Sequence, residues 1–210
     1  MLEALRQRLQ AHDPHISTTN DQPRAAVLIA LIDRPEPTLL LTRRANHLTQ
    51  HPGQVAFPGG KAEPHDISLM ATALREAEEE VALPPSEVDI FGQLSEVISL
   101  HGMAVTPFVG RIPADLPLRA DPGEIERIFE MPLSMLLRDE REHTDVITVG
   151  NEKWYVPSYR VADQVLWGLS AMMLVELMAI GFGHTISLQV PPPAGAPLRH
   201  LPPRPQAPLG

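Results

Sequence analysis

Arg75, Glu76, Glu79 and Glu80 lie in one short run of sequence, downstream of Pro58, Gly59 and Gly60. On a helix each residue turns the chain by about 100°, so Glu79 and Glu80 fall at roughly −60° and +40° from Glu76. These three carboxylates share a face, and Glu78 points nearly opposite. Like charges at this spacing destabilise a helix by roughly a few tenths of a kcal/mol per pair. A hard divalent cation, Mg²⁺ or Mn²⁺, would neutralise such a face through oxygen ligands. Arg75 can orient one of the carboxylates, and the glycines let backbone approach a substrate closely. The set reads as a metal-assisted hydrolysis site; the plainer alternative is a solvated acidic helix face. The charge balance points the same way. The 210 residues carry a net charge of −9, from 17 basic and 26 acidic residues, which argues against nucleic-acid backbone as a partner. An anionic small molecule can still bind where a metal ion stands between it and the protein. The chain has no cysteine, which excludes disulfides, thiolate zinc sites and a cysteine nucleophile.

The elements that must hold this face can be read from apolar patterning. Ile67 to Val81 is expected to be helical, closed by Pro84-Pro85. Its apolar stripe is Ile67, Met70, Ala71, Leu74, Ala77 and Val81; Glu78 falls on that stripe's side. Ala25–Ile32 and Thr38–Thr42 are β-prone runs around a turn at Asp33–Pro37, which suggests a hairpin. Gln54–Phe57 is a short extended run. Val88–Leu94 and Val105–Ile112 read as strands, Pro132–Leu137 as a short helix. Val146–Val149 and Lys153–Val156 read as a hairpin around Gly150-Asn151. Val165–Phe182 is long and apolar, but Glu176 lies inside it and no basic cluster flanks it. It reads as a buried C-terminal helix. Mixed strands and helices favour an α/β or α+β layered domain around one mixed sheet.

Three regions are expected: an N-terminal helix and lead-in over residues 1–24, a catalytic domain over 25–185, and a Pro-rich tail over 186–210. The tail has eight prolines after Val190 and is expected to be disordered. The charged amphipathic N-terminus does not read as a secretory signal, and the expected location is cytoplasmic.

The run around α-helical Glu76 resembles the Nudix box, G-x5-E-x7-R-E-U-x-E-E-x-G-U with U aliphatic. Arg75, Glu76, Ala77, Glu79, Glu80 and Leu83 match its second half. Gly60 lies one residue farther from Arg75 than the pattern has it, so the loop carries an insertion. Asp66 stands in place of the first glutamate, where a mainly structural role is expected. Ala82 replaces the closing glycine, implying a helix end without a positive φ. Upstream, Leu40–Gly60 resembles the motif L-L-T-x-R-[SA]-x3-R-x3-G-x3-F-P-G-G of the coenzyme A diphosphatase subgroup. Leu40, Leu41, Thr42, Arg44, Ala45, Gly53, Phe57, Pro58, Gly59 and Gly60 fit, and Thr49 stands where an arginine is expected. Glu124–Leu133 and Leu166–Ala171 are also similar to the subgroup.

The resemblance implies a Nudix-type α/β/α sandwich around a mixed β-sheet. It implies metal held by Glu76, Glu79 and Glu80, with Glu79, Glu80, Glu124 and Arg75 in catalysis. Arg43, Arg44, Phe57, Gly59 and Gly60 are the candidate substrate contacts; Phe57 reads equally as core packing, and Arg43 and Arg44 have a surface ion pair as the alternative. Glu124 is the candidate general base and Glu126 the second choice. His47, His51 and His65 have no partner at metal-ligand spacing and read as surface residues. The implied reaction splits coenzyme A or acyl-coenzyme A into 3′-phosphoadenosine 5′-phosphate and (acyl-)4′-phosphopantetheine. The alternatives are another nucleoside diphosphate, such as ADP-ribose, or nucleotide binding without catalysis. The expected partner is thus a small CoA-like nucleotide, with no nucleic acid and no membrane, and a homodimer is allowed.

Overall fold

The computed structural model describes residues 1–17, 22–99, 101–149 and 151–202. In chain order its elements are α1 (Leu2–Gln10), β1 (Arg24–Asp33), β2 (Thr38–Arg44), β3 (Val55–Ala56), β4 (Gly59–Lys61), α2 (Leu69–Val81), β5 (Asp89–Gln93), β6 (Val97–Ile98), β7 (Ala104–Pro113), β8 (Ile125–Pro132), α3 (Leu133–Leu137), β9 (His143–Val149), β10 (Glu152–Val161), β11 (Gln164–Leu166), α4 (Gly168–Phe182) and β12 (Leu198–His200). A short 3₁₀ turn, Pro85–Glu87, follows α2.

β1 is the centre of the molecule. It pairs in parallel with β7 along its whole length, from Arg24↔Ala104 to Asp33↔Pro113. It also pairs antiparallel with β2 and β4. The larger sheet runs β3-β2-β1-β7-β5, with β4, β6 and β8 attached to β1, β7 and β2. A strand covered on both faces should read as a nearly continuous apolar run, and "AAVLIALI" does. Ala26, Leu28, Ala30 and Ile32 pack with Ala73, Ala77 and Val81 of α2. Ala25, Ile29 and Leu31 pack on the other face, in the cluster that holds Leu5 and Leu9 of α1 and Met173, Leu174 and Leu177 of α4. The result is an α/β/α arrangement around a mixed sheet, as expected. The N-terminal helix is part of this core: Leu2, Leu5 and Leu9 are buried.

α2 starts later than its apolar pattern suggests. Ser68 caps it, its side chain accepting from the Ala71 N–H. Ile67 therefore precedes the helix and is 95% exposed, so it does not belong to the docking stripe. Glu78 is exposed as well. At the other end Ala82 adopts φ 54°, ψ 38°. This corrects the inference from its side chain: the left-handed turn is kept without glycine. That conformation costs an L-residue about 1–2 kcal/mol. The turn places Leu83 in full burial, its N–H on the Ala77 carbonyl, and the apolar contact after the turn offsets the strain.

α4 spans Gly168–Phe182, shorter than the apolar run; Val165 and Leu166 belong to β11 instead. Among the described residues no helix is long and apolar enough to cross a membrane. Glu176 is satisfied, accepting from the Ser95 hydroxyl at 2.6 Å and lying 3.2 Å from His12 Nε2.

The tail departs from expectation. β12 adds in parallel to β9, giving a second sheet ordered β11-β10-β9-β12. Arg199 on β12 donates to both oxygens of Asp145, at 2.6 and 2.9 Å. Asp145 is fully buried, so its charge needs this partner. Composition misleads here because a proline-rich segment can still supply one strand turn and one anchoring cation. Residues 203–210 of the expected disordered stretch lie outside the described residues, as does Gly150 of the expected turn.

Candidate active site

Gly59 and Gly60 form β4, laid against β1 rather than standing free as a loop. Gly59 has φ +154°, and a Cβ there would sit 2.6 Å from the Val27 Cα. Only glycine lets the two backbones come this close. Gly60 serves a different need: a Cβ there would sit 2.5 Å from either carboxylate oxygen of Glu76. β4 is thus the floor on which the α2 carboxylates rest.

Glu80 is the deepest of them, 3% exposed. It accepts from the Gly59 N–H at 3.1 Å, and the Arg44 guanidinium lies 3.4 Å away. Burial pushes its carboxyl up to about 8, against the lowering effect of Gly59 and Arg44; the charges of Glu76 and Glu124 add to the rise. Glu76 is also raised by burial, and Arg75 opposes that while Glu79 and Glu124 reinforce it. Glu79 stands at the rim, exposed, with Arg75 Nη1 at 2.9 Å.

Arg75 ties this face together. Asp66 grips it twice, at 3.0 and 3.1 Å, and the Lys61 carbonyl accepts from it. Asp66 itself accepts from Thr72 and from the Glu63 N–H. The Arg75 hydrogen bonds hold the Asp66 carboxyl well below the usual carboxylate range. The inserted loop is therefore wound around Asp66, which fixes the arginine that contacts Glu76 at 3.0 Å. Nothing in the spacing of Asp66 and Arg75 announces this pair, because Asp66 precedes α2 and only the course of the loop lays it along the first turns of the helix.

The end of α2 positions Glu124. The Asp121 N–H donates to the Glu80 carbonyl, and the Ala45 N–H to the Glu124 carbonyl. This links α2 to the end of β2 through residues 121–124 and brings the Glu124 charge to bear on both Glu76 and Glu80. Glu126 is engaged elsewhere: it accepts from Asn46 at 2.7 Å and pairs with Arg43 at 3.4 Å. The Asn46 link was not visible in the sequence pattern. Beside it lies a hollow of about 390 Å³ lined by Ala45, Asn46, His47, Pro122, Ile125 and Glu126.

Phe57 is corrected as a substrate contact. It is 2% exposed and packs in the core on the α4 side of the sheet. His47 lies 3.1 Å from the Gly123 carbonyl, and His51 meets His101 edge-on with ring centroids 6.3 Å apart. His65 lies beside Glu63.

Among the described residues, no three carboxylates or imidazoles already converge at metal-ligand spacing; Glu79 leans to Arg75 instead. The chemistry of the donor set still suits a divalent cation. Glu76 and Glu80 are two half-buried to buried carboxylates in one another's field, with Glu124 near both, and burial opposes their ionisation. A hard cation on their oxygens would remove that penalty.

Comparison with known proteins bears on this site. The NUDIX domain model matches residues 22–148. An uncharacterized Nudix hydrolase, NudL, of Yersinia pestis (strain Pestoides F) is 51% identical over 168 residues, covering 79% of this chain and 82% of that protein. Its counterpart in Yersinia pseudotuberculosis serotype O:1b (strain IP 31758) matches to the same extent. A MutT/nudix family protein from Enterococcus faecalis shares the fold, with a TM-score of 0.51 at 14% identity over 85% of this chain and 68% of that one. With 51% identity to such a hydrolase over most of both chains, the protein belongs to the Nudix family and is a hydrolase of pyrophosphate bonds.

Proposed function

We propose that the enzyme hydrolyses the diphosphate of coenzyme A or acyl-coenzyme A, releasing 3′-phosphoadenosine 5′-phosphate and (acyl-)4′-phosphopantetheine, with Mg²⁺ or Mn²⁺ as cofactor. The observation that carries this reading is how the Leu40–Gly60 segment meets α2. Its Arg44 stands 3.4 Å from Glu80, and its Gly59 N–H donates to the same carboxylate. Three residues of the subgroup motif, Arg44, Gly59 and Gly60, thus meet the acidic face directly.

Glu76 and Glu80 would hold the cation, with Glu79 reaching in from the rim. Bound there, a divalent ion supplies charge stabilisation at phosphorus and lowers the pKa of water. The protein's own groups do the rest. Arg75, fixed by Asp66, keeps Glu76 and Glu79 oriented. Arg43 and Arg44 bind phosphate oxygens, for which a planar guanidinium is suited. Glu124 takes the proton of the attacking water; the water oxygen bonds to phosphorus, and the bridging oxygen leaves with the other phosphate. Glu126 is less suited as base, since Asn46 and Arg43 already hold it.

A second reading, hydrolysis of another nucleoside diphosphate such as ADP-ribose, is favoured by one residue. Thr49 is exposed and offers no cation where the coenzyme A motif has arginine. Purified protein with Mg²⁺ or Mn²⁺ is tested against coenzyme A, acetyl-coenzyme A and ADP-ribose, with products weighed by mass spectrometry. Release of 3′-phosphoadenosine 5′-phosphate supports the first reading. Cleavage of ADP-ribose alone replaces it with the second, and no cleavage of any diphosphate removes both.

A further inference from the structure

The two arginines that meet the acidic face are held in very different ways. Arg75 is a fixture: Asp66 grips it from one side at two atoms, the Lys61 carbonyl accepts from it, and Glu76 and Glu79 lie at 3.0 and 2.9 Å. Arg44 has one ion pair among the described residues, to Glu80, and at 3.4 Å it is long. Its backbone is fixed, with its N–H on the Gln54 carbonyl and its own carbonyl accepting from Gly53. Its side chain is a quarter exposed, whereas that of Glu80 is 4% exposed. Whenever Glu80 ionises in this burial it requires a counter-charge, and Arg44 is the loosest cation in reach.

We propose that Arg44 is an exchangeable partner of Glu80: it lies against Glu80 while the acidic face holds no cation, and it moves to the substrate's diphosphate when a divalent cation takes its place there. This rests on Glu76 and Glu80 being cation ligands, as proposed above. The physical reason is charge. A cation arriving at Glu80 repels the guanidinium already there, and the backbone anchors let the long side chain turn away without disturbing β2. The anionic diphosphate then offers it a better, bidentate partner. Cation and diphosphate are thereby coupled, each tightening the other.

Mn²⁺ binding, read from the loss of the free-ion electron paramagnetic resonance signal, tests this in the wild type, Arg44→Gln and Arg44→Lys. Each is measured alone and with coenzyme A whose bridging diphosphate oxygen is replaced by methylene, a non-hydrolysable diphosphate, after subtracting the probe's own Mn²⁺ binding. Removing a competing charge should tighten Mn²⁺ binding in Arg44→Gln by about tenfold without the probe. Arg44→Lys, which keeps the charge, should return it toward wild type. The probe should tighten Mn²⁺ in the wild type and do so less in Arg44→Gln. If Arg44 merely braces Glu80, the sign reverses and Arg44→Gln binds Mn²⁺ more weakly; that result, or unchanged affinity, overturns the exchange alone. Absence of Mn²⁺ binding to the wild type overturns the cation reading and the exchange with it.

Discussion

Gly60 is the residue that makes room for Glu76: a Cβ on the glycine would stand 2.5 Å from both carboxylate oxygens. The obstructed atoms are the far end of a flexible side chain, so Gly60→Ala should displace the carboxylate while sparing the fold. Turnover is expected to fall by about tenfold or more, equivalent to at least about 1.4 kcal/mol of transition-state stabilisation. The melting temperature should stay close to wild type. Gly59→Ala should behave oppositely, because its Cβ would meet the backbone of Ala26 and Val27. Overpacking of that kind costs about 1–3 kcal/mol. Calorimetry and turnover on both variants check the pair; similar losses of stability would mean that Gly60 is not a functional spacer.

Glu80→Gln and Glu78→Gln each remove one charge from the same turn of α2. Glu80 is buried against Gly59 and Arg44, and Glu78 is exposed. A metal ion contributes several kcal/mol to a phosphoryl-transfer transition state, so losing one ligand should cost on the order of a hundredfold in kcat. Glu78→Gln should stay within a few-fold of wild type. Equal losses in steady-state assays would show that the ligand assignment is wrong.

The burial of Glu80 also sets a pH dependence in the metal-free protein. Its carboxyl is pushed up to about 8 from the ordinary 4.5. Between those values the unfolded chain gives up the proton while the folded chain keeps it. Raising the pH therefore favours unfolding, and stability falls by up to about 1.4 kcal/mol per pH unit in that window. Below it both states are protonated, and above it both are ionised. Unfolding in chelator from about pH 5 to about pH 8 should reveal the slope in wild type. Glu80→Gln should flatten it and be the more stable protein near neutrality. An identical slope in both would place the titrating group elsewhere.

The parts of this arrangement that were legible in the sequence are those set by periodic burial or by fixed helical spacing. β1 could be read because both of its faces are covered, and the Glu76–Glu80 relationship because a helix turns by a constant angle. The contacts that cross loops were not legible. Asp66 and Arg75 meet only because the inserted loop folds back, and Asn46 reaches Glu126 on the neighbouring β8 from just beyond the end of β2. Phe57 sits in a motif of functional residues, yet it faces the core. Ala82 was misread because a left-handed turn was judged by its usual residue rather than by the burial of Leu83 that makes it worthwhile.

Arg199 offers the clearest test of the C-terminal segment. It makes both guanidinium contacts to Asp145, which also accepts from Ser158 at 2.7 Å and lies 3.2 Å from His143 Nε2. Arg199 additionally lies over the Trp167 ring, 5.6 Å from its centroid. Breaking a fully buried ion pair costs roughly 3–5 kcal/mol. Arg199 is 45% exposed, and Ser158 and His143 remain, so Arg199→Ala should cost less, about 2 kcal/mol. For a chain of this size that lowers the melting temperature by roughly 4–8 °C. Much of the loss is the unpaired Asp145 charge rather than the missing contact. Adding Asp145→Asn, which keeps the shape and removes the charge, should therefore recover part of the stability. Deleting residues 191–210 should cost at least as much as Arg199→Ala, since the β12 pairing is lost as well. Thermal unfolding of the single variant, the double variant and the truncation decides it. A truncated protein as stable as wild type would show that the segment does not hold the domain.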